Sequence, residues 1–189
     1  MRILIQRFDG LIRRLNGIFE FCDEEACIFR LQWKRAPHGN HLSDGTAVRR
    51  GEPVLYLHVW NEHVPPMPPG GPDLPWAVDI RRRLLFTLRR LASWIREGSH
   101  GERVRALVGV SALLASAEDS GGARLLKRLG FDVFPHRGPL GRFGEFWENL
   151  YAWVLMWAFN PISARRHPPH RLRRTEVWMS IRTLLERYG

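Results

Sequence analysis

From Val54 to Trp60 the chain alternates β-branched and aromatic residues, and it then passes directly into Asn61-Glu62-His63 and a pair of prolines. A run of this kind is suited to a half-buried or buried strand, because branched and aromatic side chains fit a pleated surface. Asp44-Gly45 and Arg50-Gly51 are turn signals that lead into it. Within the stretch from Asp44 to His63, Val54 to Trp60 is therefore expected to be a strand with defined ends whose exit delivers polar groups, and such an exit is a natural position for a site. Beyond it, Pro65 to Trp76 contains six prolines and two glycines in twelve residues, which predicts neither a helix nor an interior strand.

The rest of the chain is read around that strand. Ile3, Ile5, Phe8, Leu11, Ile12, Leu15 and Ile18 recur near helical spacing, so residues 2–16 are expected to form an amphipathic helix rather than a secretion leader. Phe19 to Cys22 and Cys27 to Lys34 read as a hairpin around an acidic tip, with Phe29, Leu31 and Trp33 on one face. Helical periodicity resumes near Asp79, where Leu84, Leu88, Leu91 and Ile95 form a core stripe that ends at Gly98. Val104 to Leu114 reads as a central strand, Ala123 to Leu129 as a helix capped by Asp119 or Ser120, and Phe131 to Pro135 as a strand. An aromatic helix follows from Phe143 to Phe159, then a basic loop from Arg165 to Arg174, a strand from Glu176 to Met179 and a last helix from Ser180 to Tyr188. Alternation of strands and helices after one hairpin implies an α/β fold, a single domain over 1–189 with a mixed sheet flanked by helices.

Charge restricts the partners. The net charge is +10, and of the 29 basic residues all but Lys34 and Lys127 are arginine. Arginine recognises phosphates and carboxylates with two parallel hydrogen bonds, so an anionic ligand or an anionic membrane surface is expected; a basic surface without a specific partner is the alternative. Nucleic acid is disfavoured because no recognisable module accompanies the charge. No run reaches the roughly eighteen apolar residues that span a bilayer, which implies a cytoplasmic protein, soluble or peripheral to the inner membrane. Cys22 and Cys27 could face each other across the acidic tip, but two cysteines make no framework, and free thiols are expected.

Three groups of residues are candidates for function. His58 and Glu62 would share one face of a continuing strand, where a carboxylate can orient a histidine base, with Asn61 and His63 as ligand-binding neighbours. The alternative is a buried His58 bonded to backbone and a Glu62 paired to an arginine. Ser120-Gly121-Gly122 lies between a strand and a helix, where exposed amides could hold a phosphate. The aromatic helix has no charge from Leu150 to Phe159, yet it is followed by Arg165, Arg166, Arg171, Arg173 and Arg174. Helices apolar nearly all round are normally buried, which favours a core role; the pairing of Trp147, Trp153 and Trp157 with arginines also suits a membrane or partner surface. The histidines lack metal-ligand spacing and no metal is expected.

Two resemblances bear on these readings. Leu125-Leu126-Lys127-Arg128-Leu129-Gly130-Phe131 is similar to the late helix-to-strand segment of the GNAT acyltransferase superfamily, which implies a GNAT-like sheet and a coenzyme A derivative as cofactor. Leu126 stands where that family commonly places a general-acid tyrosine, and the prolines after His63 stand where its pyrophosphate loop follows the strand. Asp44-Gly45-Thr46, Arg50-Gly51-Glu52, Leu57-His58, Asn61-Glu62, the Leu-Gly-Phe step and Glu176-Val177-Trp178-Met179-Ser180 resemble the YkoP-like domain family over roughly residues 42–189. That bacterial family occurs alone or attached to polysaccharide deacetylases, which implies an envelope-associated domain with a deacetylase as partner. The deacetylase's own Asp-Asp and His-x-x-x-His metal motif is not in this sequence.

Overall fold

The computed structural model describes residues 10–98, 103–111, 121–136, 141–168, 172 and 174–189. Six strands form one mixed sheet in the order β1 (Ile18–Phe19), β2 (Phe29–Arg35), β5 (Pro53–Val59), β6 (Ala106–Ser111), β8 (Thr175–Ser180) and β7 (Asp132–Pro135). Only β5 and β6 run parallel, and the helix α2 (Leu74–Glu97) makes the crossover between them. A small separate hairpin, β3 (Asn40–His41) with β4 (Ala47–Val48), turns at Asp44-Gly45, where Gly45 takes φ +83° without the cost a Cβ would impose.

The α2 stripe was placed by periodicity, and Leu84, Leu88 and Leu91 are fully buried. They pack with Leu31, Leu55, Leu57, Leu107, Val177 and Met179 from one face of the sheet, and with Ala123 and Leu126 of α3 (Gly121–Arg128) and Leu184 of α6 (Ile181–Tyr188). The helix begins at Leu74 rather than near Asp79. Asp73 accepts the Trp76 N–H and Pro75 sits in the first turn, so the last of the prolines starts a helix instead of excluding one. The aromatic helix α4 (Gly141–Phe159) ends at Phe159 as expected, but Arg165 and Arg166 are not in a loop: they close α5 (Pro161–Arg166), which is capped by Asn160. Of the first helix, residues 10–15 are described, here α1. Residues 112–114 of the expected central strand and the expected caps Asp119 and Ser120 lie outside the described residues.

Cys22 and Cys27 are joined in a disulfide, which overturns the expectation of free thiols. Local geometry decides this. The Cys27 N–H bonds to Glu24 O in a tight turn that brings the two Cα atoms to 6.5 Å, within bridging range, and both side chains are buried. The tip is fastened to α2 as well: Thr87 Oγ1 accepts the Ile28 N–H at 3.1 Å, Arg83 Nη1 donates to Glu25 O, and Arg90 pairs with Glu24.

Asp44 joins the ends of the described chain. Its carboxylate accepts the Thr46 N–H and the hydroxyls of Thr46, Ser180 and Thr183, with the Arg182 guanidinium at 3.4 Å. Burial opposes the charge, but these donors outweigh it and hold the Asp44 carboxyl at about 2. A carboxyl lowered on folding stabilises the fold above its unfolded value and ceases to do so as the pH falls towards its folded one. Asp44→Asn is therefore expected to lose about 2 kcal/mol in urea unfolding at pH 7. The difference from the parent protein should narrow as the pH falls below about 4 and close near pH 2; an unchanged gap there would assign the loss to packing.

Candidate functional site

The second face of the sheet is built differently. Period two places Arg30, Gln32 and Lys34 of β2, Tyr56 and His58 of β5, and Glu176 and Trp178 of β8 on the side away from α2. A small core of Ala36, Leu42, Val48, Val54, Ala106, Val108 and Trp178 covers its lower part. Above that core the residues are polar. Arg30 stands opposite His58, Gln32 opposite Tyr56, and Glu176 opposite Val110.

The expected His58 and Glu62 pairing takes another form. The strand ends at Val59 and Asn61–His63 form a 3₁₀ turn, so strand alternation stops before it can align the two side chains. His58 Nε2 lies 2.9 Å from Gln32 Oε1, whereas Glu62 accepts Arg30 Nη1 at 3.4 Å. Arg30 also donates to Glu20 at 2.9 Å and lies 4.2 Å above the Trp60 ring. Burial lowers the Arg30 guanidinium from its ordinary value while Glu62 acts the other way. His63 stacks on Trp60 at 3.7 Å and bonds Cys27 O through Nδ1. The structure thus distributes His58, Glu62 and His63 among separate partners, and Asn61 opens the turn.

Sequence patterning missed a tighter arrangement further along the same face. Glu176 is 2% exposed and is held from three sides: His136 Nδ1 at 3.1 Å from Oε1, and His38 Nε2 at 3.0 Å and Trp178 Nε1 at 3.1 Å from Oε2. A buried carboxylate is retained only where hydrogen bonds compensate its lost hydration. Tyr56 is nearby; burial first and then the Glu176 charge push its phenol up to about 12, so it remains a donor at neutral pH. Glu148 of α4 sits above, 3.9 Å from His136 Nε2 and 3.1 Å from Arg174 Nη1. Two signals could have revealed this site: polar residues at alternate positions of β2, and one carboxylate inside an otherwise apolar last strand.

Metal and cofactor fit can be read from the same geometry. The two histidines approach opposite oxygens of Glu176, an arrangement that bridges rather than chelates. Among the described residues the one group of ligand atoms close enough to share an ion is Cys22, Glu24 and Cys27, whose sulfurs are consumed in the disulfide. The start of α2 does not fit a coenzyme A pyrophosphate, because the Asp73 carboxylate already takes the Trp76 N–H and would repel a second anion. Gly121 and Gly122 are the first two residues of α3, while Ser120 lies outside the described residues.

Stretches far apart in the sequence meet physically in this fold. Asp44-Gly45-Thr46 makes the hairpin turn that Ser180 closes, and Glu176 with Trp178 forms the buried polar site. A family model described as the YkoP domain matches residues 1–188. The chain belongs to the YkoP domain family. No curated protein and no solved structure matches it. The match takes in the N-terminal helix and hairpin of this YkoP domain as well as the segment from residue 42 onward, and the disulfide-tied tip is therefore within the family's span.

Glu176→Ala in this YkoP domain is expected to cost about 3 kcal/mol in chemical denaturation, since it removes the acceptor shared by buried Trp178 and half-buried His38 and His136. Glu176→Gln, which keeps the shape and one acceptor, should cost less. Equal losses for the two would assign the effect to volume rather than to hydrogen bonding.

Proposed function

We propose that this YkoP domain is a peripheral membrane module that lays α4 into the interface of an anionic bilayer. The observation that carries this reading is the outward stripe of α4. Phe146 and Trp147 are 57% and 55% exposed and Trp157 is 44% exposed, with half-buried Leu150 and Val154 between them at helical spacing. These residues form a continuous apolar sector where a surface helix of a water-soluble protein would carry charge.

The inner side of the same helix is equally informative. Asn149 is buried, donating to Leu172 O and accepting from Arg174 Nε at 2.7 Å, and Met156 packs with Ala164, Leu172 and Trp153. Trp153 is half-buried with its indole N–H on Ala164 O, so of the three tryptophans singled out it is an anchor within the protein, not part of the outward stripe. Glu148 is engaged by Arg174. The helix therefore does not cover the sheet as an apolar core helix would; it packs on α5 and the 3₁₀ turn and directs its aromatic side outward. Arg165 is exposed just beyond it, whereas Arg171 and Arg173 lie outside the described residues and the Arg166 side chain is not described.

Aromatic rings at headgroup depth with cations beside them suit an interface helix, and the net charge of +10 favours anionic lipid. No described helix is long and apolar enough to cross a membrane, so the contact is in the plane of the interface. Docking of this kind would also serve the envelope association that the family resemblance implies.

Co-sedimentation with vesicles tests the reading. The full chain is expected to pellet with phosphatidylglycerol-containing vesicles and to remain in solution with phosphatidylcholine alone. Trp147→Ala with Trp157→Ala should lower the partition coefficient at least about tenfold, since each ring contributes on the order of 1 kcal/mol or more of burial. Stability should move little, as both rings are exposed. Equal recovery with neutral and anionic lipid, or an unchanged partition in the double variant, would remove the support for this function.

A further inference from the structure

On the other side of the sheet, α2, α3 and α6 enclose a cleft of about 560 Å³ whose walls include Arg81, Arg124, Arg128, Leu85, Leu125 and Tyr188. Its charge is one-sided. No carboxylate lines it, and none of Arg81, Arg124 and Arg128 has an ion-pair partner among the described residues. The neighbours of Arg81 on α2 behave otherwise: Arg82 and Arg83 both pair with Asp79, and Arg90 pairs with Glu24. Arg124 and Arg128 are four residues apart on α3, an arrangement of like charges that costs a helix stability unless an anion is placed between them. Arg89 and Arg187 add to the field, since both act with Arg81 on the Tyr188 phenol.

We propose that this cleft binds a soluble organic phosphate carrying more than one phosphate group. Concave surfaces lined by one sign of charge concentrate counter-ions, and guanidinium groups hold phosphate oxygens in pairs of parallel hydrogen bonds. Three guanidiniums around one opening exceed what a single phosphate requires. Leu85 and Leu125 form half-buried apolar walls, and Tyr188, whose hydroxyl donates to Leu129 O at 2.8 Å, presents a fixed ring. These surfaces suit the organic part of such a ligand, and the volume is that of a small-molecule site. Gly121 at the start of α3 borders the cleft. Helix α4 lies on the opposite side of the sheet, where its Glu148 reaches His136 and Lys34. With α4 seated on lipid, the cleft is turned to water, which favours a dissolved ligand over a headgroup of the same bilayer.

Calorimetry on the full chain at physiological salt separates the alternatives. Inorganic pyrophosphate is expected to bind, and adenosine triphosphate to bind more tightly because its organic part meets the apolar walls. Arg81→Gln with Arg124→Gln should weaken both by at least about tenfold, given two lost charge-assisted contacts. Arg49→Gln with Arg50→Gln, which removes the same charge from exposed positions elsewhere, should change them less than about twofold. Equal loss in the two double variants, or no heat at millimolar ligand, overturns the proposal. Vesicle recovery of the Arg81/Arg124 variant should match the parent protein; a fall as large as the loss of nucleotide would assign the cleft to lipid phosphate instead and also overturn it. Vesicle binding without nucleotide binding would leave the docking reading standing alone.

Discussion

The sheet has two faces, and among the described residues only one receives a full cover of helices. Leu84, Leu88 and Leu91 of α2, with α3 and α6, close one face with a continuous apolar core. That leaves the other face to a two-stranded hairpin and to what α4 and its loops bring. A pleated sheet with one incompletely covered face must carry polar side chains there or expose apolar ones. Arg30, Gln32, His58 and Glu176 are the result, and each is tied to a partner because each stands partly or wholly out of water. The polar network is a consequence of unequal cover before it is a candidate for anything else.

Much of this was legible in the chain. The alternation from Val54 to Trp60 and the leucine spacing of α2 report burial on period two and period 3.6, and both elements form with those faces buried, although α2 starts about a turn earlier than its periodicity indicates. The mixed α/β class followed from the order of elements. What could not be read were contacts between residues distant in sequence. Glu176 looked like an ordinary strand residue because nothing local shows that His38 and His136 converge on it. The Cys22–Cys27 bridge depended on a five-residue turn, and general arguments from compartment and cysteine number do not reach that scale. The α4 helix illustrates a third limit. Composition alone assigns an apolar helix to the interior, whereas its neighbours bury just the Asn149 and Met156 side.

Charge is partitioned as sharply as cover. Acidic side chains are largely engaged: Glu20 and Glu62 by Arg30, Glu24 by Arg90, Asp79 by two arginines, and Glu148 by Arg174. The cations are in excess, and five of them, Arg81, Arg89, Arg124, Arg128 and Arg187, gather about Tyr188 and the cleft beside it. A surplus of one sign gives a folded protein a self-repulsion that bound counter-ions relieve. The excess is thus distributed by the same pairings that hold the acidic tip and the polar face in place.

Asp44 and Ser180 are 136 positions apart, yet the hydroxyl of one is satisfied by the carboxylate of the other. Ser180 is also the cap of α6, where its Oγ accepts the Thr183 N–H at 2.9 Å. A single pair of side chains therefore sets both the turn of an early hairpin and the start of the last helix. Loss of Ser180 removes one donor from Asp44 and the cap of α6 together, whereas Thr46, Thr183 and Arg182 still engage the carboxylate. A piece of this domain that ended between the two positions would keep the local Thr46 contacts of the hairpin turn and lose those that come from α6.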